Sequence, residues 1–306
     1  MSQDKLSGNL PVLNKKARTD LANQIIKRTI PALLVSNSRA AHGVRASQLF
    51  RGGTDLPPIS DSETTSRAQK VELKVKVVAG DSLEVAHTLR VGRPHAKIAV
   101  LNMASPMQPG GGVLRGSKAQ EESLCMRSTL YPSLRKQWYR LPDDGVAWTE
   151  DVLVFGQRQR GGGVKVLEKG QMWYVDVVSC PAVRMPDLKG GGDGEEEEEG
   201  YMDPRDEERM VLKIKYIMRA CVKMGAHVVV LGALGCGAYG NPVGKVARIM
   251  RKCLLGRGNG RGPEEDWAGA GIEEVVFAIL DETPQKKVWG GFEREFKEVE
   301  GVVIEE

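Results

Sequence analysis

Two stretches of the chain gather residue types that can do chemistry. In the first, an apolar run ends at Leu101-Asn102, then come Ala104 and Ser105, three consecutive glycines at Gly110, Gly111 and Gly112, Val113, and finally Gln120-Glu121-Glu122. Consecutive glycines let backbone N–H groups approach a ligand with no side chain in the way, which is how phosphates are cradled. A triple glycine is weak evidence alone, because Gly161 to Gly163 forms another, which reads as a hairpin loop between two strand patterns. The two carboxylates strengthen the first. Adjacent helical residues point roughly 100° apart, so Glu121 and Glu122 cannot act as two jaws across one glycosidic bond. One can face a ligand while its neighbour braces the loop or touches another hydroxyl. A helix N-terminus favours ionised carboxylates, so burial must outweigh the dipole for one of them to serve as a general acid. The alternative is that both merely complement the helix dipole.

The second stretch runs from Leu231 to Pro242 and contains Gly235, Cys236, Gly237, Ala238, Tyr239 and Gly240. A Gly-rich turn that meets a helix N-terminus is an anion site. Tyr239, flanked by small residues, leaves a ring face open for a base or a ribose. Two anion cradles suit a diphosphate.

Strands and helices must carry these loops. Alternation from Val71 to Val78 marks a half-exposed strand, and short apolar runs at Ile98–Leu101, Val152–Phe155, Trp173–Val178, Val228–Leu231 and Val275–Leu280 mark five more. Between them lie helical patterns at Ala119–Thr129, Asp206–Lys223 and Pro242–Leu254, and another spans Asn14 to about Leu34. Ser36 to about Ser66 reads as loop. The fold class is therefore α/β, a mixed sheet covered by helices on both faces.

Composition narrows the class. The 306 residues contain no apolar run of about 18, so no membrane-spanning helix is expected, and Met1 to Leu13 lacks the apolar core of a signal peptide. Five cysteines and four histidines are scattered without metal-ligand or disulfide spacing, pointing to an intracellular, reduced protein with no metal. Asp193 and Glu195 to Glu199 form an acidic stretch that reads as a disordered insertion, about 189–203. Without those six acids the formal charge of +4 becomes +10, which favours anionic partners. Gly256 to Gly262 reads as a flexible connection.

Together these residues resemble the macrodomain superfamily and, within it, the microbial type of poly(ADP-ribose) glycohydrolase. That family's signature is a triple glycine followed, after six to eight residues, by Gln-Glu-Glu; Gly110 to Gly112 and Gln120-Glu121-Glu122 fit it, seven residues apart. The flanking Glu122-Ser123-Leu124-Cys125-Met126-Arg127 agrees, as does the order of the two glycine loops. The resemblance covers about Val71 to Leu280. It implies a macrodomain-like catalytic domain over 71–306, preceded by an N-terminal helical extension and loop over 1–70. It also implies roles. Glu122 is the catalytic acid; Glu121 and Asn102 hold the terminal ribose; Gly110, Gly111, Gly112 and Val113 with Gly235 to Gly240 clasp the diphosphate. Gln120 belongs to the signature, Tyr239 stacks near the distal ribose and adenine, and Asp81 receives the adenine amino group. Met103 stands where an aromatic residue is common, and Gln157 to Gly170 looks like an insertion.

The implied reaction is hydrolysis of the ribose–ribose bond of poly(ADP-ribose) to ADP-ribose, without cofactor or metal. Expected partners are the polymer and ADP-ribosylated proteins, with no membrane and no direct nucleic-acid contact, for a monomer in the nucleus or cytoplasm. Competing expectations are an ADP-ribose reader without turnover and a hydrolase of mono-ADP-ribosylated proteins or small ADP-ribose derivatives.

Overall fold

The computed structural model describes residues 12–59, 72–190, 199–256 and 262–306. The Asn14 side chain accepts the Ala17 N–H (2.9 Å) and starts α1 (Lys15–Gln24), which passes through a single π-helical turn into α2 (Ile30–Ser36). Asn37 caps α3 (Ser38–Ala46), and β1 (Gln48–Arg51) follows. These two elements correct the expectation of loop from Ser36 onward; residues 60–71, including Val71, lie outside the described set. Helix α3 shows no apolar stripe because it docks through small residues, Ala40 and Gly43, the latter directly against the Glu150 carbonyl.

The α/β alternation then begins with β2 (Lys74–Ala79), α4 (Ser82–Gly92), β3 (Ile98–Met103) and α5 (Gln120–Arg127). Strand β4 (Gly145–Val154) leads into a small hairpin, β5 (Gly156–Arg158) and β6 (Val164–Val166), whose tip holds Gly161 to Gly163 as expected. After β7 (Trp173–Cys180), the short strands β8 (Leu188–Lys189) and β9 (Gly200–Tyr201) pair antiparallel at the feet of the acidic stretch, so its ends are ordered; residues 191–198 lie outside the described set. The chain closes with α6 (Pro204–Lys223), β10 (Val228–Leu231), α7 (Val243–Leu255), β11 (Glu274–Ile279), α8 (Lys287–Phe296) and β12 (Val302–Glu305). Of the connection from Gly256 to Gly262, residues 257–261 are outside that set too.

Eight strands form one mixed sheet in the order β1-β4-β7-β3-β10-β11-β2-β12, parallel from β7 to β12 and antiparallel at β4 and β1. Both faces are covered, which is why β3, β10 and β11 read as continuous apolar runs. Ala99, Leu101, Val229 and Leu231 face α6, α7 and α8, where Phe277 packs on Phe292 and Phe296 with ring centroids 5.4 and 5.0 Å away. Ile98, Val100, Val228 and Val230 face the opposite core, built with α1, α2, α4 and α5. Among the described residues, no helix is long and apolar enough to cross a membrane.

Because β2, β3, β7, β10 and β11 are parallel, their carboxyl ends meet on one edge, where ligands bind in open α/β sheets. The N-terminal helices reach that edge. Arg18 Nε donates to the Gly116 carbonyl (2.8 Å), and Gly116, at φ +74°, has no room for a side chain because a Cβ would lie 2.5 Å from the Lys15 carbonyl.

One buried ion pair locks this edge from below. Asp81 caps α4 by accepting the Leu83 and Glu84 N–H groups at 3.0 and 3.3 Å. Its two oxygens also receive Arg127 Nη2, from the end of α5, at 2.8 and 2.7 Å. Both side chains are almost fully buried. Removing one partner of such a pair strands the other charge, so Arg127→Met is expected to lower unfolding free energy by about 3–5 kcal/mol. Adding Asp81→Asn should restore part of the loss, as read by urea unfolding.

Candidate active site

A cavity of about 780 Å³ opens at the carboxyl edge, between the loop after β3 with the start of α5 on one side and the loop after β10 on the other. Helix α5 has Ala119 at its N-cap and no side-chain cap. Its start is fixed by Gln120, whose Oε1 accepts the Met103 N–H (2.9 Å) while Nε2 donates to the Leu101 carbonyl (2.6 Å) and Ser82 Oγ (3.2 Å). One amide thus ties α5 to both β3 and α4.

That tie puts Glu121 and Glu122 at the centre of the cavity wall. Glu121 Oε2 accepts the Ser105 N–H and Glu122 Oε1 accepts the Gly112 N–H, each at 2.7 Å. The second oxygens, Glu121 Oε1 and Glu122 Oε2, are buried without a partner among the described residues, as is Asn102 Oδ1 behind them. Burial pushes the Glu121 carboxyl up to about 8; the Ser105 N–H opposes this and the Glu122 charge adds to it. Burial therefore overcomes the helix dipole at Glu121, which does more than complement it. A buried carboxyl of this kind keeps a proton at neutral pH.

The glycines divide their work differently from the expectation. In the first loop the N–H groups of Gly111, Gly112 and Val113 are already used, by the Gln108 carbonyl, Glu122 and the Gly110 carbonyl. Gly111 serves by lacking a side chain: at φ +55° its Cβ would lie 2.7 Å from Glu122 Oε1 and 2.9 Å from Glu121 Oε2. In the second loop the N–H groups of Gly237, Ala238 and Tyr239 make no hydrogen bond among the described residues, and a Cβ on Gly237 would meet open space. The free backbone donors are therefore in the second loop, and the first makes room for carboxylates.

Of the residues singled out from sequence, Asp81, Gly111, Gly112, Gln120, Glu121 and Glu122 border the cavity, and Gly235, Gly237, Ala238 and Tyr239 face them. Five do not reach its wall. Asn102 is fully buried and donates to Ser179 Oγ on β7 (3.1 Å). Gly110 packs on the Tyr131 ring, Val113 is in the core, and Cys236 Sγ turns toward the Leu234 carbonyl. Gly240 supplies a left-handed turn at φ +64°. Tyr239 stands with Ser105 and Glu121. Asp81 stands with Glu84, Arg127 and Arg158. Tyr239 thus belongs to the carboxylate end rather than to the Asp81 end.

Sequence reasoning missed Ser105, which anchors Glu121, and Ser179, which orients Asn102. It also missed Arg158 and Arg184 on the cavity border. Only Ser105 had a local signal, as a neighbour of the glycine run; the others arrive from distant strands. The expected insertion from Gln157 forms the β5–β6 hairpin and brings Arg158 to the site.

Residues 33–155 match the family described as microbial-type PARG, catalytic domain. The fold is similar to the crystal structure of poly(ADP-ribose) glycohydrolase from Thermomonospora curvata, at 25% identity and a TM-score of 0.70 over 92% of this chain and 100% of that one. The same enzyme bound to the inhibitor ADP-HPD matches equally well. The poly(ADP-ribose) glycohydrolase from Deinococcus radiodurans in complex with ADP-ribose matches at 26% identity and a TM-score of 0.64, over 84% of this chain and 96% of that one. No curated protein matches by sequence. Signature, carboxylate geometry and shared architecture agree: over residues 33–155, and in its macrodomain-like fold, the chain is similar to the microbial-type poly(ADP-ribose) glycohydrolases.

Proposed function

We infer that this protein is a glycoside hydrolase that cleaves the ribose–ribose O-glycosidic bond of poly(ADP-ribose) and releases ADP-ribose. The observation that carries the reading is the pair of carboxyl oxygens on the cavity border, Glu121 Oε1 and Glu122 Oε2, buried without a partner among the described residues. Buried polar oxygens require partners, and the vicinal hydroxyls of a ribose, which both donate and accept, supply them. The free N–H groups of Gly237 to Tyr239, with Arg184 on the same border, suit the neighbouring diphosphate.

Each residue then has a task. Glu122, held through one oxygen by Gly112, presents the other to the departing 2′-oxygen and protonates it as an oxocarbenium-like centre develops. Water attacks that centre, and the same carboxylate takes the proton back. Glu121, steadied by Ser105, binds a ribose hydroxyl and stores the proton of the coupled pair. Tyr239 covers the ribose. Asp81, at the far end, takes the adenine amino group. Residues 71–306 are the catalytic domain in this reading and 1–70 its N-terminal extension, which also lends β1 to the sheet. The same reading carries an intracellular setting, nuclear or cytoplasmic, and a monomer acting on ADP-ribosylated proteins without metal, cofactor or nucleic acid.

Glu122→Gln should keep ADP-ribose affinity, measured by calorimetry, and lose most release of ADP-ribose from automodified polymer. Undiminished release removes Glu122 from its role, and release only from serine-, glutamate- or arginine-linked mono-ADP-ribose replaces the polymer as substrate. Gly111→Ala should cut turnover at least as deeply, since its Cβ displaces both carboxylates. The pH profile has a defined sign. The Glu121 carboxyl rises from 4.5 to about 8 on folding, so the folded state holds a proton that the unfolded chain releases in that window. Its stability contribution is largest at the acid end and declines as pH rises toward about 8. Turnover should decline through the same upper value as Glu121 loses its proton, and Glu121→Gln should flatten the stability slope in thermal melts across that range.

A further inference from the structure

The Asp81 end of the cavity has an apolar wall and no aromatic ring. Ala278, Ile279, Leu280 and Val288 form the wall, at and beyond the end of β11, and Asp81 stands beside it, just past the end of the paired strand β2. A carboxylate beside an apolar slot suits a flat heterocycle with an exocyclic amine. Tyr239, the single aromatic residue on the cavity border among the described residues, is committed to the carboxylate end. At the Asp81 end Arg127 is buried behind the carboxylate, and Arg158 brings a planar guanidinium to the cavity border.

Several contacts hold that guanidinium in place. The β5–β6 hairpin carries Arg158 opposite Val164. The hairpin is seated on α5: Gly156 packs so closely that a Cβ there would lie 3.3 Å from Arg127 Cα. Arg158 Nη2 donates to Glu282 Oε2 at 2.6 Å, and Glu282 lies two residues beyond Leu280. The pair therefore joins the hairpin to the chain just beyond the apolar wall, on the cavity border. Arg158 is the more enclosed partner, with its side chain 25% exposed against 66% for Glu282. A pair this open to solvent is weak, so a ligand can shift it. A guanidinium stacks on a base face as a planar group, which an ammonium cannot do.

Resting on the functional reading above, we propose that Arg158 is an adenine-binding residue of this enzyme: its guanidinium, steered by Glu282, stacks on the base opposite the Leu280 wall. The hairpin that the sequence marks as an insertion thus supplies the base contact, while the signature supplies the ribose contact. Recognition at the two ends then rests on unrelated segments.

The test is calorimetric titration of the full chain and its Arg158→Ala, Arg158→Lys and Glu282→Gln variants with two probes, ADP-ribose and ribose 5-phosphate. Base stacking contributes roughly 1–3 kcal/mol per base, or about 5- to 150-fold in affinity. Arg158→Ala should weaken ADP-ribose by about that factor and leave ribose 5-phosphate within about twofold. Arg158→Lys, which keeps the charge and loses the plane, should resemble the alanine variant, and Glu282→Gln should have a smaller effect. Circular dichroism verifies that each variant is folded. ADP-ribose affinity unchanged in Arg158→Ala, restored by lysine, or lost equally with ribose 5-phosphate overturns the proposal. Failure of the unaltered protein to bind ADP-ribose overturns the functional reading first.

Discussion

Two carboxylates buried side by side set the terms for the rest of this site. Each loses hydration and each repels the other, so neither would sit beneath the cavity without compensation. The compensation is local. Ser105 and Gly112 each give one N–H to one oxygen, Gly111 withdraws its side chain from between them, and Glu121 keeps its proton to about pH 8. Gln120 matters for the same reason: it fixes where α5 begins, and a shift of one residue would point both carboxylates elsewhere. Asp81 and Arg127 then secure the far end of that short helix to the start of α4.

The glycine excess follows from this arrangement in part. Gly110 to Gly112 and Gly235 are needed where chain and side chains crowd together, and Gly237 where the backbone faces the cavity. Gly235 is pressed against Ala182 and Asn241, whereas Gly237 faces open space. Similar sequence thus supports opposite tasks, crowding in one loop and access in the other. The acidic wall and the open N–H groups face each other across the cavity, so a ligand with hydroxyls at one end and a diphosphate next to them meets complementary groups in order.

The parts legible in the sequence were those with a strong local pattern. Strands β3, β10 and β11 stood out because burial on both faces makes them unbroken apolar runs, and α6 and α7 because each keeps one apolar stripe. The signature located Glu121 and Glu122 by spacing. Helix α3 was invisible because Ala40 and Gly43 do its packing, and α4 because Asp81, its cap, drew notice as a ligand group. The first half of β4 was hidden because Thr149, Glu150 and Asp151 separate its short apolar run from Val152–Val154. Tertiary pairings such as Asn102 with Ser179, or Arg158 with Glu282, had no local signal, because residues 77 and 124 positions apart meet only once the sheet is built.

The N-terminal helices are connected to the chemistry by a short chain of contacts. The loop from Val113 to Ala119 joins a strand to a helix without strand pairing of its own. It is stabilised internally by the Arg115 and Ser117 N–H groups, which both donate to the Gly112 carbonyl at 2.8 and 3.2 Å. Externally it is held by α1, through Arg18 on the Gly116 carbonyl and through Lys15, whose backbone closes over Gly116. Gly112 is the residue whose N–H holds Glu122. Movement of α1 would therefore pass through Gly116 and Gly112 to the carboxylate with one loop between them. A segment that contributes no group to the cavity border thus helps set the position of the acid, which gives a physical reason for building α1 onto the sheet edge rather than leaving it as a separate arm.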